Sequence, residues 1–230
     1  MPIVQWLQDP AFSAKVREAF ESDVAAEYFD REKLIGLLSD GNVHSNISHL
    51  IEMVKKAKAD GVKNVRCHIL LDGRDVPATS GLVYVEQLEK AFAELNDDTF
   101  CGKIASGGGR MVVTMDRYQA NWNMVKVGWD THVKGIGRQF ATATEAIETY
   151  RAENEGVIDQ DLPPFVIAEN GEPVGTINDG DSVIFFNFRP DRAREITRVF
   201  VDPDFDGFKR ELIKPTFVFN GLLCDIDRNK

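Results

Sequence analysis

The stretch Leu34-Ile35-Gly36-Leu37-Leu38-Ser39-Asp40-Gly41-Asn42-Val43-His44 decides how the rest of the chain reads. Its apolar run has no polar alternation, which describes a strand (Lys33 to Ser39) covered on both faces, as parallel strands are. The run breaks at once into turn-forming Ser-Asp-Gly-Asn and a histidine. The same grammar returns downstream. Val65 to Leu71 is a second apolar strand and ends in Asp72-Gly73-Arg74-Asp75. Lys103 to Ser106 is a short strand followed by Gly107-Gly108-Gly109-Arg110. Ser182 to Phe188 runs into Arg189-Pro190-Asp191-Arg192, and Phe217 to Phe219 is a last short strand.

Helical periodicity fills the gaps. Ile47, Leu50, Ile51, Val54 and Ala57 share one face, and Asp60-Gly61 stops that helix. Leu82, Val85, Leu88, Phe92 and Leu95 mark a second helix. Tyr118, Trp122, Val125, Trp129 and Val133 mark a third, and Thr142 to Arg151 a fourth. Arg189-Pro190-Asp191-Arg192 opens a fifth, carrying Ile196, Val199 and Phe200. Residues 1–32 read as a polar helical segment, with Asp9-Pro10 as its start signal. Phe165 to Ala168, Asn170-Gly171 and Pro173 to Ile177 read as a hairpin. The alternation predicts an α/β fold: a mainly parallel sheet flanked by helices, with a small β-hairpin in the C-terminal third.

Composition narrows the function classes. The 230 residues are 43% hydrophobic and 28% charged, the balance of an ordinary globular protein. No apolar run approaches the roughly 20 residues that span a bilayer, and no signal peptide opens the chain. The formal charge of −10 argues against nucleic acid as a partner. Three cysteines without CxxC spacing fit a reducing, cytoplasmic setting and no structural zinc. Neither a phosphate loop, a complete GxGxxG, an HExxH nor a GxSxG occurs.

In open α/β sheets, ligands bind beyond the carboxyl ends of the strands. Here those ends deliver His44, Arg74, Asp75, Arg110, Arg189 and Arg192, with Arg117 expected in the first turn of the third helix. Each piece alone has a plain reading. The chain has five Asp-Gly pairs, which are common turns, and adjacent Arg74 and Asp75 read equally well as a surface ion pair. Cations at 189, 192 and 194 near a helix N-terminus oppose the helix dipole, and a docked anion would reverse that cost. Guanidinium forks suit phosphate and carboxylate.

The stretches LLSDGNVHSNISHL, LLDGRDVPATSG, GGGRM…TMDRY and NFRPDRAREIT together resemble the insert domain of cofactor-independent phosphoglycerate mutase. They occur in that family's order and cover about residues 30–222. The resemblance implies interconversion of 3-phosphoglycerate and 2-phosphoglycerate through a phosphoserine enzyme. It also implies a partner domain similar to alkaline phosphatase that carries the serine and two manganese ions. It places substrate-binding roles on His44, Arg74, Asp75, Arg110, Arg117, Arg189 and Arg192. Asp75 is the candidate general acid/base, with adjacent Arg74 expected to favour its base form. The family's NSEVGH nucleophile motif and its histidine-rich metal cluster do not occur in this sequence. The expectation is therefore a single phosphoglycerate-binding domain over 33–222, with 223–230 leading toward the phosphatase-like half. Such a chain would be inactive alone and hold no cofactor of its own. The alternative is a stand-alone, non-enzymatic anion- or phosphometabolite-binding module.

Overall fold

A computed structural model describes residues 31–211 and the backbone of residues 217–220. Residues 1–30 of the expected N-terminal helical segment and the 223–230 tail lie outside the described residues, while Arg31 and Glu32, expected within that segment, are extended. Eight strands form one sheet: β1 (Arg31–Leu38), β2 (Asn64–Leu71), β3 (Cys101–Gly109), β4 (Arg138–Phe140), β5 (Phe165–Glu169), β6 (Glu172–Pro173), β7 (Ser182–Phe185) and β8 (Phe217–Asn220). Their spatial order is β4-β5-β3-β2-β1-β7-β8, with β6 hanging from β5. β1 pairs in parallel with both β2 and β7. The β2–β3, β4–β5 and β7–β8 pairs are also parallel. The β3–β5 and β5–β6 pairs are antiparallel. The mainly parallel expectation holds.

Among the described residues, five α-helices flank the sheet: α1 (Ile47–Ala59), α2 (Gly81–Leu95), α3 (Trp122–Gly128), α4 (Ala143–Glu153) and α5 (Arg194–Val201). Leu34, Leu38, Val65, Cys67, Ile69 and Leu71 bury one sheet face against α1, α2 and α4. Ile35, Val183 and Phe185 bury the other against Val125 and Trp129 and against Ile196, Val199 and Phe200 of α5. That two-sided cover explains the unbroken apolar runs of β1 and β2. Helix starts follow local chemistry: the Asn46 side chain accepts the Ser48 N–H at 2.8 Å, and Thr142 Oγ1 accepts the Glu145 N–H at 3.1 Å. At α2 the Ser80 side chain makes no cap, and buried Asp159 accepts the Gly81 N–H at 2.7 Å.

Four boundaries differ from the sequence reading. The three glycines before Arg110 lie within β3, not after it. A Cβ on Gly107 would lie 2.5 Å from the Phe165 ring, and one on Gly109 2.2 Å from the Gln160 carbonyl oxygen, so the glycines admit close neighbours. The third helix does not begin near Tyr118: Asn121 caps α3, which then widens into a π-helical turn at Trp129–Val133. The hairpin is real but short, because β6 is only Glu172–Pro173. Pro190 opens a 3₁₀ turn, closed by the Ala193 N–H on the Pro190 carbonyl at 3.0 Å, and α5 begins only at Arg194.

Sheet topology fixes where a ligand would sit. From β1 the chain steps outward through β2 to β3, and later returns on the opposite side of β1 as β7. The order in which strands are added therefore switches sides between β1 and β7, which run parallel, so their carboxyl ends flank the crevice where such sheets bind ligands. The side chain of Asn187 closes this seam: its Oδ1 accepts the Leu37 N–H at 2.9 Å.

Candidate functional site

β1, β2 and β3 bring a wired carboxylate cluster to this edge. Ser39 Oγ donates to Asp72 Oδ2 at 2.7 Å, and the N–H groups of Arg74 and Asp75 donate to Asp72 Oδ1 at 3.2 and 3.1 Å. Arg110, only 1% exposed, donates through Nη1 to Asp72 Oδ1 at 2.8 Å and to Asp75 Oδ2. Burial opposes charge on Asp72. The hydrogen bonds from Ser39, the Asp75 backbone and Arg110 outweigh that cost and hold its carboxyl below the usual range. Gly41 passes so close to the β2 loop that a Cβ there would lie 3.0 Å from the Asp75 Cβ.

β7 supplies the opposite wall. Asp191 is its hub: Arg189 Nη2 lies 2.9 Å and Arg117 Nη1 3.7 Å from Asp191 Oδ2. His44 Nδ1 lies 3.5 Å from Asp191 Oδ1, and the His44 carbonyl accepts the Arg189 N–H at 3.2 Å. His44 is 4% exposed. Burial first, then Arg110 and Arg189, push its pKa down to about 4 against the pull of Asp191 and Asp75, so the ring is neutral at pH 7. Arg192 donates to the Met115 carbonyl at 2.7 Å. Burial, then the charges of Arg110, Arg117 and Arg74, depress its pKa, with Asp191 opposing.

The structure thus joins His44, Arg117 and Arg189 through Asp191, and Asp75 with Arg110; Arg74 bonds Asp72 through its backbone N–H, and Arg192 bonds the Met115 carbonyl. Two details are corrected. Arg117 precedes α3 by a loop and is not in its first turn. The cation paired with Asp75 is Arg110, not its neighbour Arg74, because chain adjacency does not make side chains converge.

Sequence reasoning missed the wiring. Asp191 reads as a helix-start acid, and Asp72 as a turn former. Nothing local marks Thr114, Tyr118 and Gln119, whose φ angles of 67°, 63° and 57° are left-handed. Each such residue costs on the order of 1–3 kcal/mol and persists only where its surroundings impose it. Beneath them runs a buried chain: His68 Nδ1 to Ser106 Oγ at 2.8 Å, Ser106 Oγ to His132 Nδ1 at 2.7 Å, and His132 Nε2 to Thr114 Oγ1 at 3.0 Å. Burial holds His132 down at about 3, and His68 well below its ordinary value. Among the described residues no group of three or more His, Cys, Asp or Glu is arranged to hold a metal ion. The two manganese ions that the resemblance implies do not fit these residues, and no chemistry below is assigned to a metal. None of the described helices is long and apolar enough to cross a membrane.

The chain resembles known proteins along most of its length. The family described as BPG-independent PGAM N-terminus, PGAM being phosphoglycerate mutase, matches residues 11–222. A probable 2,3-bisphosphoglycerate-independent phosphoglycerate mutase of Leptospira interrogans is 53% identical over 190 residues, covering 83% of this chain and 34% of that protein. The corresponding mutase of Trypanosoma brucei is 49% identical over 178 residues, covering 77% of this chain and 32% of that protein. A crystal structure of Leishmania mexicana phosphoglycerate mutase superposes with a TM-score of 0.80 at 40% identity, covering 94% of this chain and 40% of that one. These relatives carry mutase names, which does not favour a stand-alone binding module. The chain spans about a third of the length of the curated relatives it matches. It belongs to the BPG-independent phosphoglycerate mutase family, whose N-terminal part it matches.

Proposed function

We propose that this chain is the phosphoglycerate-gripping part of a mutase that interconverts 3-phosphoglycerate and 2-phosphoglycerate. The observation that carries this reading is the gathering of arginines at the rim: Arg110, Arg117 and Arg189 meet Asp72, Asp75 and Asp191, beside a neutral histidine. A phosphoglycerate brings up to three negative charges on two groups that guanidinium forks recognise. Arg74, Arg117, Arg189 and Arg192 would hold its phosphate and carboxylate. Neutral His44 would donate its one ring N–H to a phosphate oxygen. Asp75, 15% exposed at its side chain and paired with Arg110, is the candidate general acid/base at a glycerate hydroxyl. Fixing the hydroxyl and phosphoryl groups in place and neutralising their charge is the larger part of phosphoryl-transfer catalysis.

In this reading 33–222 act as one binding domain and 223–230 lead toward a phosphatase-like half. That half would supply the serine nucleophile and the metal site, and would be the partner of this chain. The free thiols of Cys67 and Cys101 accord with a cytoplasmic setting. The test is calorimetric titration of 3-phosphoglycerate into the chain at low salt, beside an assay for 2-phosphoglycerate formation. The expected result is one weak site and no turnover. Absence of binding heat at millimolar ligand would overturn the reading.

A further inference from the structure

Arg117 is carried by a strained segment that something must hold in place. Thr114, Tyr118 and Gln119 are all left-handed, and backbone of this kind relaxes unless clamped. The first clamp is the Thr114–His132 contact described above. The second comes from α5. The Gln119 N–H donates to Glu195 Oε1 at 3.2 Å, and Gln119 Oε1 accepts from Arg198 Nη1 at 3.3 Å. Glu195 and Arg198 are three residues apart, on one face of the helix. Glu195 is 6% exposed, an expensive place for a carboxylate unless it is held by donors. It also lies three residues past Arg192. One short stretch of chain therefore presents Arg189 and Arg192 and grips the segment that presents Arg117.

We propose that Glu195 is a positioning residue: by holding the Gln119 backbone it keeps Arg117 against Asp191 and beside Arg192. The inference rests on the phosphoglycerate reading for its ligand, not for its mechanics. Glu195 touches none of the groups assigned to substrate and acts through Arg117. The competing explanation is that Glu195 merely secures the first turn of α5.

Two measurements on the full 230-residue chain separate them. The first is amide hydrogen exchange over residues 115–120, which needs no ligand. Glu195→Ala is expected to speed exchange there by about tenfold or more while β1 and β2 exchange as before. Glu195→Gln keeps an acceptor for the Gln119 N–H and is expected to stay near the parent. Unchanged exchange in Glu195→Ala overturns the clamp. The second is a double-mutant cycle read by titration with 3-phosphoglycerate. Glu195→Ala is expected to weaken binding about tenfold when Arg117 is present and less than about twofold in an Arg117→Ala background. Equal weakening in both backgrounds overturns the positioning role. A parent chain that binds no 3-phosphoglycerate overturns the ligand reading instead, and the exchange measurement then decides the clamp alone.

Discussion

The two walls of the crevice solve opposite electrostatic problems. On the β1–β2–β3 side, Asp72, Asp75, Ser39 and Arg110 bond one another, and Arg110 is almost wholly buried. On the β7 side, Arg117 and Arg189 share Asp191 at more exposed positions, while Arg192 donates to the Met115 carbonyl. The first wall pairs its carboxylates with a buried cation. The second sets two arginines on one carboxylate. In the proposed reading a cluster rich in arginine is not a uniform binding surface: Arg110, expected from the sequence to bind substrate, would brace the scaffold, and the others would meet the anion.

The strongest way to break this contrast is to open a charge defect in the first wall. Arg110→Met leaves Asp72 buried without its cation, held only by Ser39 and two backbone N–H groups, and is expected to cost about 3 kcal/mol of stability in urea unfolding. A loss under about 1 kcal/mol would mean the pair is not structural.

Acid probes the buried histidines next. Their folded pKa values lie below the unfolded value near 6.5, so only the unfolded state gains protons as pH first falls below 6.5. Stability is full above that value and is lost on acidification. Each histidine contributes up to about 1.4 kcal/mol of loss by pH 5.5. His44→Gln should reduce the difference in unfolding free energy between pH 7.5 and 5.5 by about that amount. An unaltered pH dependence would place His44 in water rather than under Arg110 and Asp191.

Arg189→Ala sharpens the other wall. Its side chain is 46% exposed, so stability should change by less than about 0.5 kcal/mol. Affinity for 3-phosphoglycerate, read by calorimetry, should fall about tenfold. The smallest effect expected is ionic. Raising salt from about 50 to 500 mM should weaken 3-phosphoglycerate binding several-fold through screening at the exposed wall. The urea midpoint should change little, because the Asp72–Arg110 pair is buried.

How much of this was readable beforehand follows from the range of the forces involved. The apolar runs of β1 and β2 announce strands covered on both faces, and turn chemistry at their ends announces the rim. Local periodicity does not reveal that Asn187 fills a backbone position opposite Leu37. It does not reveal that Arg110 rather than Arg74 meets Asp75. Those pairings depend on strand order, which brings residues 35 or 150 positions apart into contact. The Tyr118–Gln119 kink was hidden for a related reason: its left-handed backbone is imposed by α5, some 76 residues later.

The central claim is that the arginines of the β7 wall, and not Arg110, are the ones waiting for the anion. A crystal structure of the chain with 3-phosphoglycerate tests it most directly. Ligand oxygens are expected on Arg117, Arg189 and Arg192, with Arg110 still bonded to Asp72. Ligand density away from these three guanidiniums, or Arg110 swung off Asp72 to meet the ligand, would contradict it.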